Sequence, residues 1–233
     1  MSKKEVRFLT LEIRAGQDED KGAYIEGYPI VFNQETNVGG YFREVIEPEA
    51  VKESLLRDVA LMIGHDFGMV PLAHSRRNTA NSTMQLSIDE HGVFMRALLD
   101  VENNPKAQEA YSAIKRGDLT GMSFAFVVNE EKWEDLDTDL PLRRITGMNA
   151  IYEVSLVAFP QYTGTSVQAA SEGDALESVL ASLESEKQRL ADERAAEAAE
   201  AEARAAEEAE AERRRAVLER LENLKKEVKP DEV

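Results

Sequence analysis

GMSFAFVV, residues 121 to 128, is the stretch on which the fold turns. In an extended chain successive side chains point to opposite faces, so Met122, Phe124, Phe126 and Val128 share one face, and Ser123, Ala125 and Val127 the other. One face is large and apolar, as a core demands; the other is small and carries a hydroxyl. A strand is expected over residues 122 to 128, and Ser123 taken alone is a serine packed quietly within it. As a nucleophile it needs a histidine within hydrogen-bond reach, because an unassisted hydroxyl attacks poorly at neutral pH.

A second strand is expected over residues 151 to 159, in AIYEVSLVAFP, where Glu153 stands in a run otherwise apolar except for Ser155. Desolvating a lone carboxylate costs several kcal/mol, so Glu153 is either the solvent-facing residue of a half-exposed strand or is held by a partner. LMIGHD, residues 61 to 66, ends a short buried strand expected over residues 59 to 63 on His65. A histidine there is ordinarily a core or edge residue. If the three stretches converge, His65 is the base for Ser123 and Glu153 orients the imidazole. Asp66 adjoins His65, but neighbours in an extended strand point to opposite faces, which favours Glu153. His74 is a weaker base candidate, and His91 belongs to a turn.

The rest of residues 1 to 170 continues the pattern. Strands are expected over residues 9 to 13 and 24 to 32, the second at an edge or bulge because Pro29 cannot donate to a ladder. Glu47-Pro48-Glu49 opens an expected helix to about Arg57. A hairpin is expected from residues 83 to 99 around Asp89-Glu90-His91-Gly92, with glycine available for a positive φ, and a second helix from Asn104-Pro105 to Gly117. The acidic EEKWEDLDTDLP and the short LRRI, residues 130 to 145, are expected to be connecting loop. Seven or so strands with two helices give an α+β fold, expected to be a small barrel-like sheet.

After about residue 170 the chain becomes alanine, glutamate and arginine. Leu176, Val179, Leu183 and Leu190, and later Val217, Leu221, Leu224 and Val228, fall at heptad-compatible spacings with only alanine between. A long charged helix or weak coiled coil is expected over residues 171 to 233, as a spacer or a partner-docking, scaffold-like segment.

A net charge of -17 argues against binding nucleic acid phosphates or anionic membranes. Without cysteine there is no thiolate chemistry. MSKKEVRFLTLEIRAG lacks an apolar stretch of signal length, and no segment approaches membrane-spanning length, so a soluble cytoplasmic protein is expected. A metal site from His65, Asp66, His74 and His91 has no recognised ligand spacing, and no phosphate-cradling glycine loop is present.

In the order GYPIVFN, FREVIEPEAVKESL, LMIGHD, GMSFAF and YEVSLVAFP, residues 8 to 168 resemble the prohead maturation proteases of HK97-like tailed phages. The E-x-I-x-P-x-A-x-x-x-S-L pattern from Glu44, the His65-Asp66 pair, the S-F-x-F strand and E-V-S-L-V-x-x-P are specific as a set. The resemblance implies a serine endopeptidase related in fold to the herpesvirus assembly proteases: a small β-barrel ringed by helices, acting inside an immature capsid. No cofactor or metal is expected. It implies Ser123 as nucleophile, His65 as base and Glu153 as orienting acid. Ala125 stands where the family often has glycine, and Pro160-Gln161 where it commonly has Pro-Ala. Arg143 and Arg144 either support the oxyanion or substrate, or are surface charge. The implied partners are the major capsid protein with its scaffolding segment, and other copies of the protease. The implied location is the immature capsid in the bacterial cytoplasm. Non-catalytic capsid scaffold and metal-dependent hydrolase are the competing readings.

Overall fold

The computed structural model describes residues 4–10, 13–158 and 173–227. It divides into two compact units, Met1–Leu183 and Glu184–Val233. The expected boundary near residue 170 lies outside the described residues, as do Leu11 and Phe159.

The first unit is α+β and holds two sheets. The longest strands are β10 (Gly121–Glu134) and β11 (Leu142–Val157), an antiparallel hairpin. On the outer side of β10 lies β1 (Glu5–Thr10). On the other side of β11, its first residues pair in parallel with β5 (Phe42–Ile46), whose outer neighbour is β4 (Thr36–Val38). Its last residues pair in parallel with β6 (Ala60–Ile63), which meets β7 (Ala73–His74). The second sheet is antiparallel, in the order β2 (Arg14–Asp18), β3 (Gly22–Val31), β9 (Gly92–Leu98), β8 (Met84–Ile88).

The large face of the opening stretch, Met122, Phe124, Phe126 and Val128, joins Ile25, Ile30, Met84 and Met95 of the second sheet in one core. Burying side chains of that size from water drives the association. Helix α1 (Pro105–Arg116) completes it with Ala107, Ala110 and Ile114, one stripe at helical spacing. Its ends follow their residues: Asn104 Oδ1 accepts from the N–H groups of Lys106 and Ala107, and Gly117 closes the helix at φ 79°.

Four expectations need correction. A barrel ringed by helices is not what forms. Closure requires the end strands to bond each other, and both described sheets run open, from β1 to β4 and from β2 to β8. The helix expected over residues 47 to 57 is two short 3-10 turns, Pro48–Ala50 and Glu53–Leu56, with Val51 and Lys52 extended between them. The broken path buries Ala50, Val51 and Leu56 together in the core, a tertiary gain that overrides local helix preference. The expected acidic loop is the distal half of the β10–β11 hairpin, because its carboxylates meet arginines across the ladder. Arg143 bonds Glu131 and Arg144 bonds Glu134. Finally, Gly92 does not use a positive φ. A Cβ there would lie 2.1 Å from the Ile30 carbonyl oxygen, so the residue is glycine for close backbone approach. The Pro29 expectation holds in part: β3 is central, and its register with β9 shifts between Gly27 and Ile30, around the proline.

The last helix, α2 (Gly173–Glu227), spans both units. Its opening turns belong to the first, where Val179 joins Val38 and Phe42 in a small cluster flanked by Leu176, Leu180 and Trp133. In the second unit α2 is a single solvated helix with Glu/Arg pairs at i,i+4, such as Arg189–Glu193 and Glu200–Arg204. Val217, Leu218, Leu221 and Leu224 are exposed on it. Among the described residues no helix is long and apolar enough to cross a membrane.

Candidate active site

Strand register brings the three separate stretches together. Across the β10–β11 ladder Ser123 faces Ser155 and Ala125 faces Glu153, so a serine, an alanine, a glutamate and a second serine share one face. On the far side of β11, Ala60 pairs with Glu153 and Met62 with Ser155, which ends β6 beside the same residues. Gly64 and His65 then turn the chain with φ of 60° and 59°. The His65 conformation is uncommon for a residue with a side chain. It is secured by the Gly64 N–H bonding the Leu156 carbonyl and the His65 N–H bonding Ser155 Oγ, each at 3.0 Å.

The imidazole thereby lies between the serine and the glutamate. Nε2 is 2.7 Å from Ser123 Oγ and Nδ1 is 2.6 Å from Glu153 Oε1. The other carboxylate oxygen, Oε2, accepts from the Ser155 hydroxyl at 2.6 Å. Ser123, Glu153 and Ser155 are fully buried, while the His65 side chain retains 15% exposure. Ala125, directly opposite Glu153 on the ladder, has only a methyl side chain.

Ser123 Oγ also lies 2.7 Å from the Arg7 carbonyl oxygen on β1. A hydroxyl has one proton, and a carbonyl can only accept. Either the hydroxyl donates to Arg7 and Nε2 donates to Oγ, or the hydroxyl donates to Nε2. Only the second arrangement passes the serine proton to the ring.

Behind Arg7 stands a buried ionic cluster. Its guanidinium bonds Glu44 at 2.5 and 2.7 Å and Glu5 at 2.6 Å. Arg143, only 2% exposed, bonds Glu5, Glu44 and Glu131. Glu131 in turn accepts from Ser182 of α2. Burial opposes the charge on both arginines, but the surrounding carboxylates outweigh it and hold each guanidinium above its usual proton affinity. For Glu5 burial likewise pushes upward, and Arg7 and Arg143 overcome it, leaving the carboxyl below its ordinary value.

Arg143 is therefore an interior residue with its donors directed to carboxylates. Arg144 is partly exposed and bonds Glu134 and, more loosely, Glu47. The remaining candidates lie in other roles. Asp66 caps its own turn by accepting from the Gly68 N–H, His74 Nδ1 accepts from the Arg76 N–H, and His91 packs edge-on against Tyr28 in the β8–β9 turn. Among the described residues no three His, Asp or Glu side chains converge as a metal site. Sequence reasoning missed Ser155 and the Arg7 carbonyl. Ser155 had a signal, a second polar residue two positions from Glu153 and so on the same strand face.

A buried serine and glutamate joined through one imidazole form an arrangement able to activate a hydroxyl. The comparison with known families agrees in class. The model of the caudovirus prohead serine proteases matches residues 10–178, and the chain belongs to that family. It is thus a serine protease of the kind associated with capsid maturation in tailed phages. No curated protein and no solved structure matches it.

Proposed function

We propose that the protein is the maturation endopeptidase of a phage prohead, with Ser123 as nucleophile, His65 as general base and Glu153 as orienting acid. The observation that carries this reading is the unbroken chain of contacts from Ser123 Oγ through both ring nitrogens to Glu153.

His65 Nε2 takes the hydroxyl proton as Oγ attacks the scissile carbonyl. Glu153 holds Nδ1–H, fixing the tautomer and stabilising the imidazolium. Backbone N–H groups hold the oxyanion. The imidazolium returns the proton to the leaving amine, and water, deprotonated by the same ring, releases the acyl group and restores Ser123. Arg143, whose charge is already matched by buried glutamates, acts through the cluster that fastens β1 beside the nucleophile strand.

The substrates are the scaffolding segment of the major capsid protein and the protease itself, inside the immature capsid of the host cell. Residues after about 170 co-assemble with the scaffold and are later cut away. Co-expression with the cognate capsid protein tests this. Intact masses should show both chains shortened with the wild type and neither with Ser123→Ala or His65→Gln. Equal shortening in all three assigns cleavage to a host protease. Assembly that proceeds normally with an uncleaved wild-type pair favours the non-catalytic scaffold reading, which the long solvated α2 also suits. The tail assignment fails if a chain ending near residue 170 enters proheads as efficiently as the whole one.

A further inference from the structure

Ser155 makes two bonds whose directions are fixed by chemistry. The His65 N–H can only donate to its hydroxyl oxygen, at 3.0 Å, and the Ser155 O–H donates to Glu153 Oε2, at 2.6 Å. The residue is fully buried. It faces Ser123 directly across the ladder, yet its own proton is committed to Glu153.

From these contacts we infer that Ser155 is a positioning residue for the proteolytic reaction, locking the Glu153 carboxylate and the His65 backbone into one fixed unit. The inference rests on the active-site reading above. It follows from two shortages that Ser155 fills. Glu153 has no exposure to water, and with Oε1 engaged by His65, Oε2 lacks its Ser155 donor if that hydroxyl is removed. A buried carboxylate oxygen left without a donor drives the group to rotate toward another one, which breaks the contact with Nδ1. His65, for its part, sits at φ 59°, a conformation that persists only where surrounding bonds determine it. Ser155 supplies the bond to its N–H. Loss of one hydroxyl therefore loosens the base and its orienting acid together, while Ser123 stays in place on β10.

The test is the second-order rate of labelling by a fluorophosphonate, which reacts with an activated serine and needs no peptide substrate, measured beside thermal unfolding. Ser155→Ala should remain folded and label about 100-fold more slowly, the scale expected when a catalytic group is misplaced by about 1 Å. Ser155→Cys keeps the volume but donates weakly, and should give an intermediate rate; it decides the question if the alanine variant does not fold. In a Glu153→Gln background, Ser155→Ala should add much less than 100-fold, because both changes act through the same carboxylate. A folded Ser155→Ala or Ser155→Cys protein labelling at the wild-type rate overturns the inference, as does a loss that multiplies fully with Glu153→Gln. Failure of the underlying reading looks different: wild type is not labelled, or Ser123→Ala is labelled equally.

Discussion

The carbonyl oxygen of Arg7 lies 2.7 Å from Ser123 Oγ, while the Arg7 guanidinium, on the same residue, is bonded to Glu44 and Glu5. One residue of β1 thus touches the proposed nucleophile with its backbone and the interior ion cluster with its side chain. The serine's alternative hydrogen-bond acceptor is held where it is by charges elsewhere in the sheet.

Removing one member of that cluster should be costly. Arg143→Met leaves Glu5 and Glu44 buried with only the Arg7 guanidinium between them, and is expected to lower stability by roughly 3–5 kcal/mol. Denaturant unfolding followed by circular dichroism measures this. Arg144→Met, in a partly exposed pair, should cost at most about 1 kcal/mol.

The cluster also predicts acid sensitivity. Glu5 is held below its ordinary value near 4.5, because the two arginines outweigh the effect of burial. A depressed folded-state value means that its contribution to stability is complete above about pH 4.5 and is lost as the pH falls through the lower folded value. Unfolding free energy measured from pH 6 downward should fall in that window, and Glu5→Gln should flatten the fall while lowering stability at pH 6.

Glu153 and Asp66 should separate cleanly. Glu153→Gln can still meet the ring but favours the wrong tautomer, so turnover of a peptide substrate should drop by about 10⁴-fold. Asp66→Asn, whose carboxylate caps a turn, should change it little. Equal losses would make Asp66 part of the machinery.

Trp133, the one tryptophan, reports on the start of α2. Its indole N–H bonds Ser182 and its ring meets Phe42 edge-on, 5.3 Å between centroids. A chain ending at Leu183 keeps the whole first unit and should retain the wild-type emission maximum. A chain ending at residue 172 uncovers Val38 and Phe42 and should shift the emission to longer wavelength.

How much was legible follows from where the information resides. The strand at residues 121 to 128 and the capped helix α1 were readable, since alternation, Asn-Pro and a terminal glycine act locally. The meeting of His65, Ser123 and Glu153 was an expectation drawn from residue type and family resemblance, because the contacts join residues 88 and 58 positions apart. The open sheets and the extended path through Val51 were not legible: each depends on which strand lies beside which, and no single segment encodes that. The long hairpin was hidden for the same reason. Glu131 and Glu134 look like loop residues until Arg143 and Arg144 are placed across from them.

The most direct test of the central claim is the mass of the fluorophosphonate adduct, located by peptide mapping on the full-length protein. The account predicts one adduct, on Ser123, absent from Ser123→Ala and strongly slowed in His65→Gln. An adduct on another serine, or labelling of Ser123 that is indifferent to His65, would contradict it.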